Sequence, residues 1–139
     1  MKLLLSLIFV FAVGLTYSDS FAQIPGMEEI PGMQGIGGTE FPSDYPSDMP
    51  KPKITMSLGS FLAENGKMFN FESDLTVMDA LKFFQDEMPK NGYEQINKEV
   101  IMDNISGASA GLKKGSTEVT LMIKADDDKK NIAISILYK

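Results

Sequence analysis

The chain has 139 residues and a formal net charge of −6, and it contains no cysteine and no histidine. All 13 basic residues are lysines, and tryptophan is also missing. This inventory excludes disulfides, zinc sites of the Cys or His type, Ser-His-Asp triads and arginine fingers. A negative surface argues against binding to nucleic acid or anionic membranes, because both attract basic proteins. We predict no enzyme and no cofactor.

Residues 1–22 have the layout of a secretory signal peptide. Lys2 is followed by a nearly unbroken apolar run from Leu3 to Leu15, and Ser20 and Ala22 provide small residues before a cleavage site. The apolar run is too short for a membrane-spanning helix, which needs about 20 residues. We therefore expect cleavage before Gln23 and no integral membrane insertion afterwards. The protein would be secreted, or periplasmic in a Gram-negative host.

Residues 23–52 have the composition of an acidic arm rich in proline, glycine and methionine. Proline removes backbone donors and glycine raises the entropy cost of ordering, so the sequence predicts a disordered or extended polyproline-like segment. Two short repeats occur in it: IPGM at 24–27 and 30–33, and FPSD at 41–44 followed by YPSD at 45–48. We interpret the repeats as a spacer, with a short linear docking motif as the alternative.

The pattern changes at Lys53, and residues 53–139 predict a small α+β domain. Alternating apolar residues over 54–62 and 67–72, separated by Asn65-Gly66, indicate a β-hairpin with a tight turn. A helix is expected over 76–89, where Thr76 and Asp79 fit a capping box. Its apolar stripe consists of Val77, Ala80, Leu81, Phe84 and Met88. Pro89 and Gly92 suit its end.

Strand-like alternation returns after Gly92. It predicts strands over 93–102, 108–112, 119–123 and 132–138. The element order is then ββαββββ, and short connections favour antiparallel neighbours. The single helix must therefore cover one face of an antiparallel sheet.

The run from Ala80 to Tyr93 (ALKFFQDEMPKNGY) carries a resemblance. It is similar to a segment of small exported bacterial proteins of unknown function. In those proteins an amphipathic helix with an aromatic pair ends in Leu/Met-Pro-Lys-x-Gly, and an aromatic residue opens the next strand. The resemblance covers residues 53–139, and it implies a helix-on-sheet fold and a bacterial envelope location. The motif is structural and implies no catalytic residues.

The face of the sheet opposite the helix is the predicted binding surface. If Phe69 and the alternating residues of the last two strands face the helix, a second set must face away. That set is Thr55, Ser57, Met68, Asn70, Thr120, Met122, Ser135 and Leu137. Among these, Met68, Met122 and Leu137 give the open face apolar positions. We predict a non-enzymatic binding or interaction module of the cell envelope, which docks an envelope protein or a second copy of itself there.

Other functions stay open at this point. Met27, Met33 and Met49 of the arm are thioether residues that could hold Cu(I), so methionine-mediated copper handling is one alternative. A small-ligand binder is another. An enzyme with a glycosidase-like acid pair is disfavoured, because no two acidic residues lie in a predicted cleft.

Overall fold

The computed structural model describes residues 34–128 and 130–139. The predicted signal peptide and residues 23–33 of the predicted arm lie outside the described residues. In chain order the elements are β1 (Gln34–Ile36), β2 (Met56–Ala63), β3 (Gly66–Ser73), α1 (Val77–Glu87), β4 (Glu94–Gln95), β5 (Val100–Ile101), β6 (Gly107–Lys114), β7 (Thr117–Ala125) and β8 (Ile132–Tyr138). Over this part of the chain, no helix is long and apolar enough to cross a membrane.

The strands form one antiparallel sheet in the order β1-β2-β3-β8-β7-β6-β4, with β5 also paired to β6. The last strand, β8, lies between β3 and β7 and joins the first hairpin to the C-terminal strands. The predicted fold class, one helix on an antiparallel sheet in the order ββαββββ, is confirmed. Two details differ. β1 adds a short strand beside β2, and the strand expected over 93–102 is reduced to β4 and β5 with an irregular segment between them.

Helix α1 follows its predicted stripe. The Thr76 hydroxyl accepts a hydrogen bond from the backbone N–H of Asp79 at 3.1 Å, which satisfies one of the free donors of the first turn. All five stripe residues are buried, and the helix packs on β6 and β7. The helix ends at Glu87, because Pro89 begins a short 3₁₀ turn. Gly92 closes this turn in the left-handed region, with φ of 85°.

Residues 41–52 form a second cover on the same face of the sheet, which we call the strap. The FPSD and YPSD repeats each fold as a turn, in which the N–H of Tyr45 donates to the Pro42 carbonyl at 2.9 Å and that of Met49 to the Pro46 carbonyl at 3.1 Å. The equal turns direct Phe41, Tyr45 and Met49 toward the core. The Phe41 ring lies 4.8 Å from Phe71, and the Tyr45 ring lies 5.2 Å from Phe69.

The two repeats also attach the strap to the sheet through equivalent aspartates. Asp44 accepts hydrogen bonds from Lys67 at 2.6 Å and from Ser60 at 3.0 Å. Asp48, four residues later, accepts from Lys114 at 2.9 Å and from Tyr93 at 3.1 Å. Each repeat therefore supplies one core side chain, one turn and one carboxylate anchor.

The strap corrects the prediction for residues 41–52. The sequence analysis treats 23–52 as a disordered arm that ends before Lys53, whereas residues 41–52 belong to the folded domain. In the strap the prolines fix φ within tight turns, and burial of aromatic side chains offsets the entropy cost of ordering. The spacer interpretation of the FPSD and YPSD repeats is therefore wrong, because both copies have equivalent structural contacts.

Candidate docking face

The two faces of the sheet have different surroundings. The face toward α1 carries the core, with α1 over β6 and β7 and the strap over Phe69 and Phe71 of β3. Side chains alternate along each strand, so the remaining positions point to the opposite face. We call that opposite surface the open face.

An apolar row crosses the open face from strand to strand. Phe61 of β2 lies opposite Met68 of β3, Met68 opposite Leu137 of β8, and Leu137 opposite Thr120 of β7. Thr120 is in turn opposite Gly111 of β6. A Cβ on Gly111 would lie 3.3 Å from Cγ1 of Ile96, so Ile96 covers this glycine and ends the row. The apolar row thus consists of Phe61, Met68, Leu137, Thr120 and Ile96.

The structure brings the three predicted binding residues onto this one face. Met68 and Leu137 are direct cross-strand neighbours in the apolar row. Met122 lies two residues from Thr120 on β7, opposite Ser135, and its side chain is 39% exposed. Their placement follows the predicted alternation of β3, β7 and β8.

One residue predicted to face away from the helix is instead in the core. Ser57 is fully buried and lies opposite Phe71, a core residue. The register of β2 shifts between Ser57 and Gly59, where Gly59 adopts φ of 89°. This β-bulge turns Ser57 inward, and the Ser57 hydroxyl accepts a hydrogen bond from the Gly59 N–H at 3.3 Å.

The segment between β4 and β6 adds apolar surface that the sequence analysis did not assign to the site. Five of its large apolar side chains are between 41% and 58% exposed: Ile96, Val100, Ile101, Met102 and Ile105. Val100 lies opposite Ser109, which lies opposite Met122, so Val100 extends the open face beyond Met122. The signal for most of this patch is the density of apolar residues between Tyr93 and Met102, which the alternation predicts as one regular strand.

Polar groups occupy the other end of the open face. Ser135 donates to the Asn70 side-chain oxygen at 2.7 Å, so this pair is satisfied within the sheet. Ala133 lies between Glu72 of β3 and Lys124 of β7. A depression of about 310 Å³ lies beside Ala133, and its walls carry Glu72 and Lys124 together with Asp126, Asp127 and Asn131 of the connection between β7 and β8. Neither Glu72 nor Lys124 forms an ion pair with another residue of the described ranges.

Of the three methionines of the copper alternative, only Met49 lies within the described residues. Met49 is 3% exposed, and its thioether fills space in the hydrophobic core between the strap and the sheet. This placement corrects the assignment of Met49 as a ligand on a free arm, while Met27 and Met33 lie outside the described residues. Within residues 34–128 and 130–139, no group of three or more carboxylates is placed to hold a metal ion.

Comparison with protein-family models, with curated proteins and with solved structures gives no match for this chain.

Proposed function

We propose that this protein is an exported, non-enzymatic interaction module of the cell envelope, which binds a partner through the open face. The observation that carries the proposal is the apolar row, together with Met122 and Val100, on the face opposite α1 and the strap. Antiparallel sheets commonly expose a polar outer face to solvent. Contiguous apolar surface in such a position is typical of an interaction site.

The envelope location is supported by the sequence of residues 1–22 and by the resemblance of residues 80–93 to small exported bacterial proteins. A non-enzymatic role agrees with the residue inventory, because the chain has neither His nor Cys for common general-base, nucleophile or metal chemistry. The partner would be an envelope protein or another copy of the chain.

The experiment compares two methionines of equal exposure on different surfaces. Met122 on the open face is 39% exposed, and Met78 on α1 is 40% exposed. Photo-cross-linking residues are placed at each position in the secreted protein, and adducts are identified in the producing cell. We expect discrete adducts from position 122 and not from position 78.

A double substitution tests whether capture, the formation of cross-linked adducts with a partner, requires the open face. With the photo-cross-linking residue moved to position 100 of the open face, Met68→Lys with Met122→Lys should leave the circular dichroism spectrum unchanged and reduce the yield of adducts at least tenfold, because two charges are placed on apolar surface. Met78→Lys is the matched control and should retain full capture. The same adducts at the same yield from all three proteins would contradict the proposed function.

A further inference from the structure

We propose that the partner is a second copy of this chain, stacked open face against open face about a two-fold axis that runs along β8. This inference rests on the proposed function and names its partner. Homo-oligomers with a two-fold axis bury the same patch on both copies, so such a patch must be complementary to itself. The open face meets this requirement in its charges, its apolar positions and its central strand.

One pair of opposite charges on the open face, Glu72 and Lys124, is arranged symmetrically about β8. Glu72 on β3 and Lys124 on β7 are both opposite Ala133 of β8, one on each side. A rotation of 180° about an axis that is parallel to β8 and midway between the two open faces places β3 of one copy over β7 of the other. The Glu72 carboxylate of each copy then faces the Lys124 ammonium of its partner, and two ion pairs form at once. The depression beside Ala133 gives the four side chains room to meet.

The apolar row is complementary under the same rotation. Its two ends, Phe61 on β2 and Ile96 beside β6, exchange places, so an aromatic ring of one copy meets an aliphatic side chain of the other. Leu137 lies beside the axis and meets its own equivalent. The other residues of β8 on this face, Ser135 and Ala133, are small and permit the close approach that stacked sheets require, about 10 Å between sheets.

The size of the face predicts a weak and reversible dimer. The apolar row crosses five strands, each of which occupies about 4.8 Å of the sheet's width, and the seven residues of β8 extend over about 20 Å. The contact is therefore about 500 Å² on each copy, or about 1,000 Å² in total, which is at the lower limit for a specific interface. We expect dissociation in the micromolar range, with a mass that depends on concentration.

The test is sedimentation velocity on the full secreted chain from about 1 to 500 μM. Glu72→Lys places like charges opposite each other at both pairs, and Lys124→Glu does the same with the opposite sign. Each single variant should weaken the dimer at least tenfold. The double variant, Glu72→Lys with Lys124→Glu, exchanges the partners and should restore the dimer to within threefold of the original. High salt should reduce the difference between the variants.

Two outcomes would overturn the proposal. A chain that stays monomeric at 500 μM would exclude the second copy as partner, and a dimer that neither single charge variant weakens would contradict the proposed axis and its ion pairs. Leu137→Lys checks the axis independently of the ion pairs, and it should abolish the dimer while thermal unfolding shows that the fold persists. A monomer whose cross-linker at position 122 reacts with residues 23–33 of the same chain would assign the face to that segment.

Failure of the second copy as partner can be distinguished from failure of the proposed function. If the chain is monomeric but Met68→Lys with Met122→Lys still loses adducts in the cell, the face binds a different protein. In that case the proposed function stands and only the second copy is wrong. If position 122 gives no adducts in the cell and the chain is monomeric in solution, both proposals are wrong.

Discussion

The same strands form both faces of the sheet, but only the face toward α1 buries its apolar side chains when the chain folds. On the face toward α1, the side chains of Phe71, Ile134 and Ile136 are fully buried under the helix and the strap. On the open face, Met68, Thr120 and Leu137 keep part of their surface in solvent. Burial of apolar surface stabilises a fold by about 25 cal/mol per Å², so side chains of the first face stabilise the monomer and those of the second remain available for association.

The largest expected effect is on the covered face. Leu81 of α1 is 1% exposed and lies in the core cluster. Leu81→Ala should lower the free energy of unfolding by about 2–5 kcal/mol, because it removes apolar contacts and leaves a cavity. Denaturant melts measure this loss. Met78→Ala, on the exposed side of the same helix, should change the stability by no more than about 0.5 kcal/mol. Equal effects of the two substitutions would contradict the assigned packing of α1.

A smaller effect is expected from the carboxylates that hold the strap. Burial raises the pKa of Asp44 and of Asp48, but hydrogen bonds from Lys67 and Ser60 to Asp44, and from Lys114 and Tyr93 to Asp48, outweigh it. The pKa of both carboxyl groups is therefore lowered from the ordinary value of 3.8. Near that pH the unfolded chain then binds more protons than the folded chain. The stabilisation that these two carboxylates contribute is complete well above pH 3.8 and is lost as the pH falls below it.

Denaturant melts between pH 2 and pH 7 measure the fall in the free energy of unfolding at low pH, which we call the acid limb. Asp44→Asn with Asp48→Asn should flatten it, because the substituted side chains no longer titrate. Asp127→Asn, at an exposed position after β7, is the control and should leave the limb as it is in the unsubstituted chain. An acid limb of the same steepness in the double variant would show that these two contacts do not anchor the strap.

The smallest effect on stability is expected on the open face. Met122→Lys should change the free energy of unfolding by no more than about 0.5 kcal/mol, because the side chain is already partly in water and its ammonium group stays solvated. The same substitution should strongly reduce association. A stability loss as large as that of Leu81→Ala would show that Met122 belongs to the core of the monomer and not to a docking face.

Much of the fold follows from regular patterns in the sequence. The helical stripe from Val77 to Met88 and the alternation of β3, β7 and β8 predict which side chains enter the core, because each depends only on local periodicity. The same alternation places Met68, Met122 and Leu137 on the open face. These elements are long, and the buried side of each is specified by several apolar residues.

The irregular features could not be predicted in the same way. The prolines and glycines before Lys53 suggested disorder, although Phe41, Tyr45 and Met49 recur at a spacing of four and were a signal of packing. The inward turn of Ser57 depends on the bulge at Gly59, where a glycine within a strand was the available indication. The exposure of Ile96 and Val100 depends on tertiary pairing with β6, which leaves most of 93–102 outside the ladder.

Methionine oxidation followed by mass spectrometry tests the central difference between the faces most directly, because thioethers oxidise according to their exposure. In dilute protein, we predict that Met49 of the strap oxidises as slowly as Met88 of the core. We also predict that Met122 oxidises as fast as Met78. In the cell, or at concentrations that permit association, Met122 should become protected while Met78 does not. Rapid oxidation of Met49 would contradict the ordered strap. Equal rates for Met122 and Met78 under every condition would contradict the docking role of the open face.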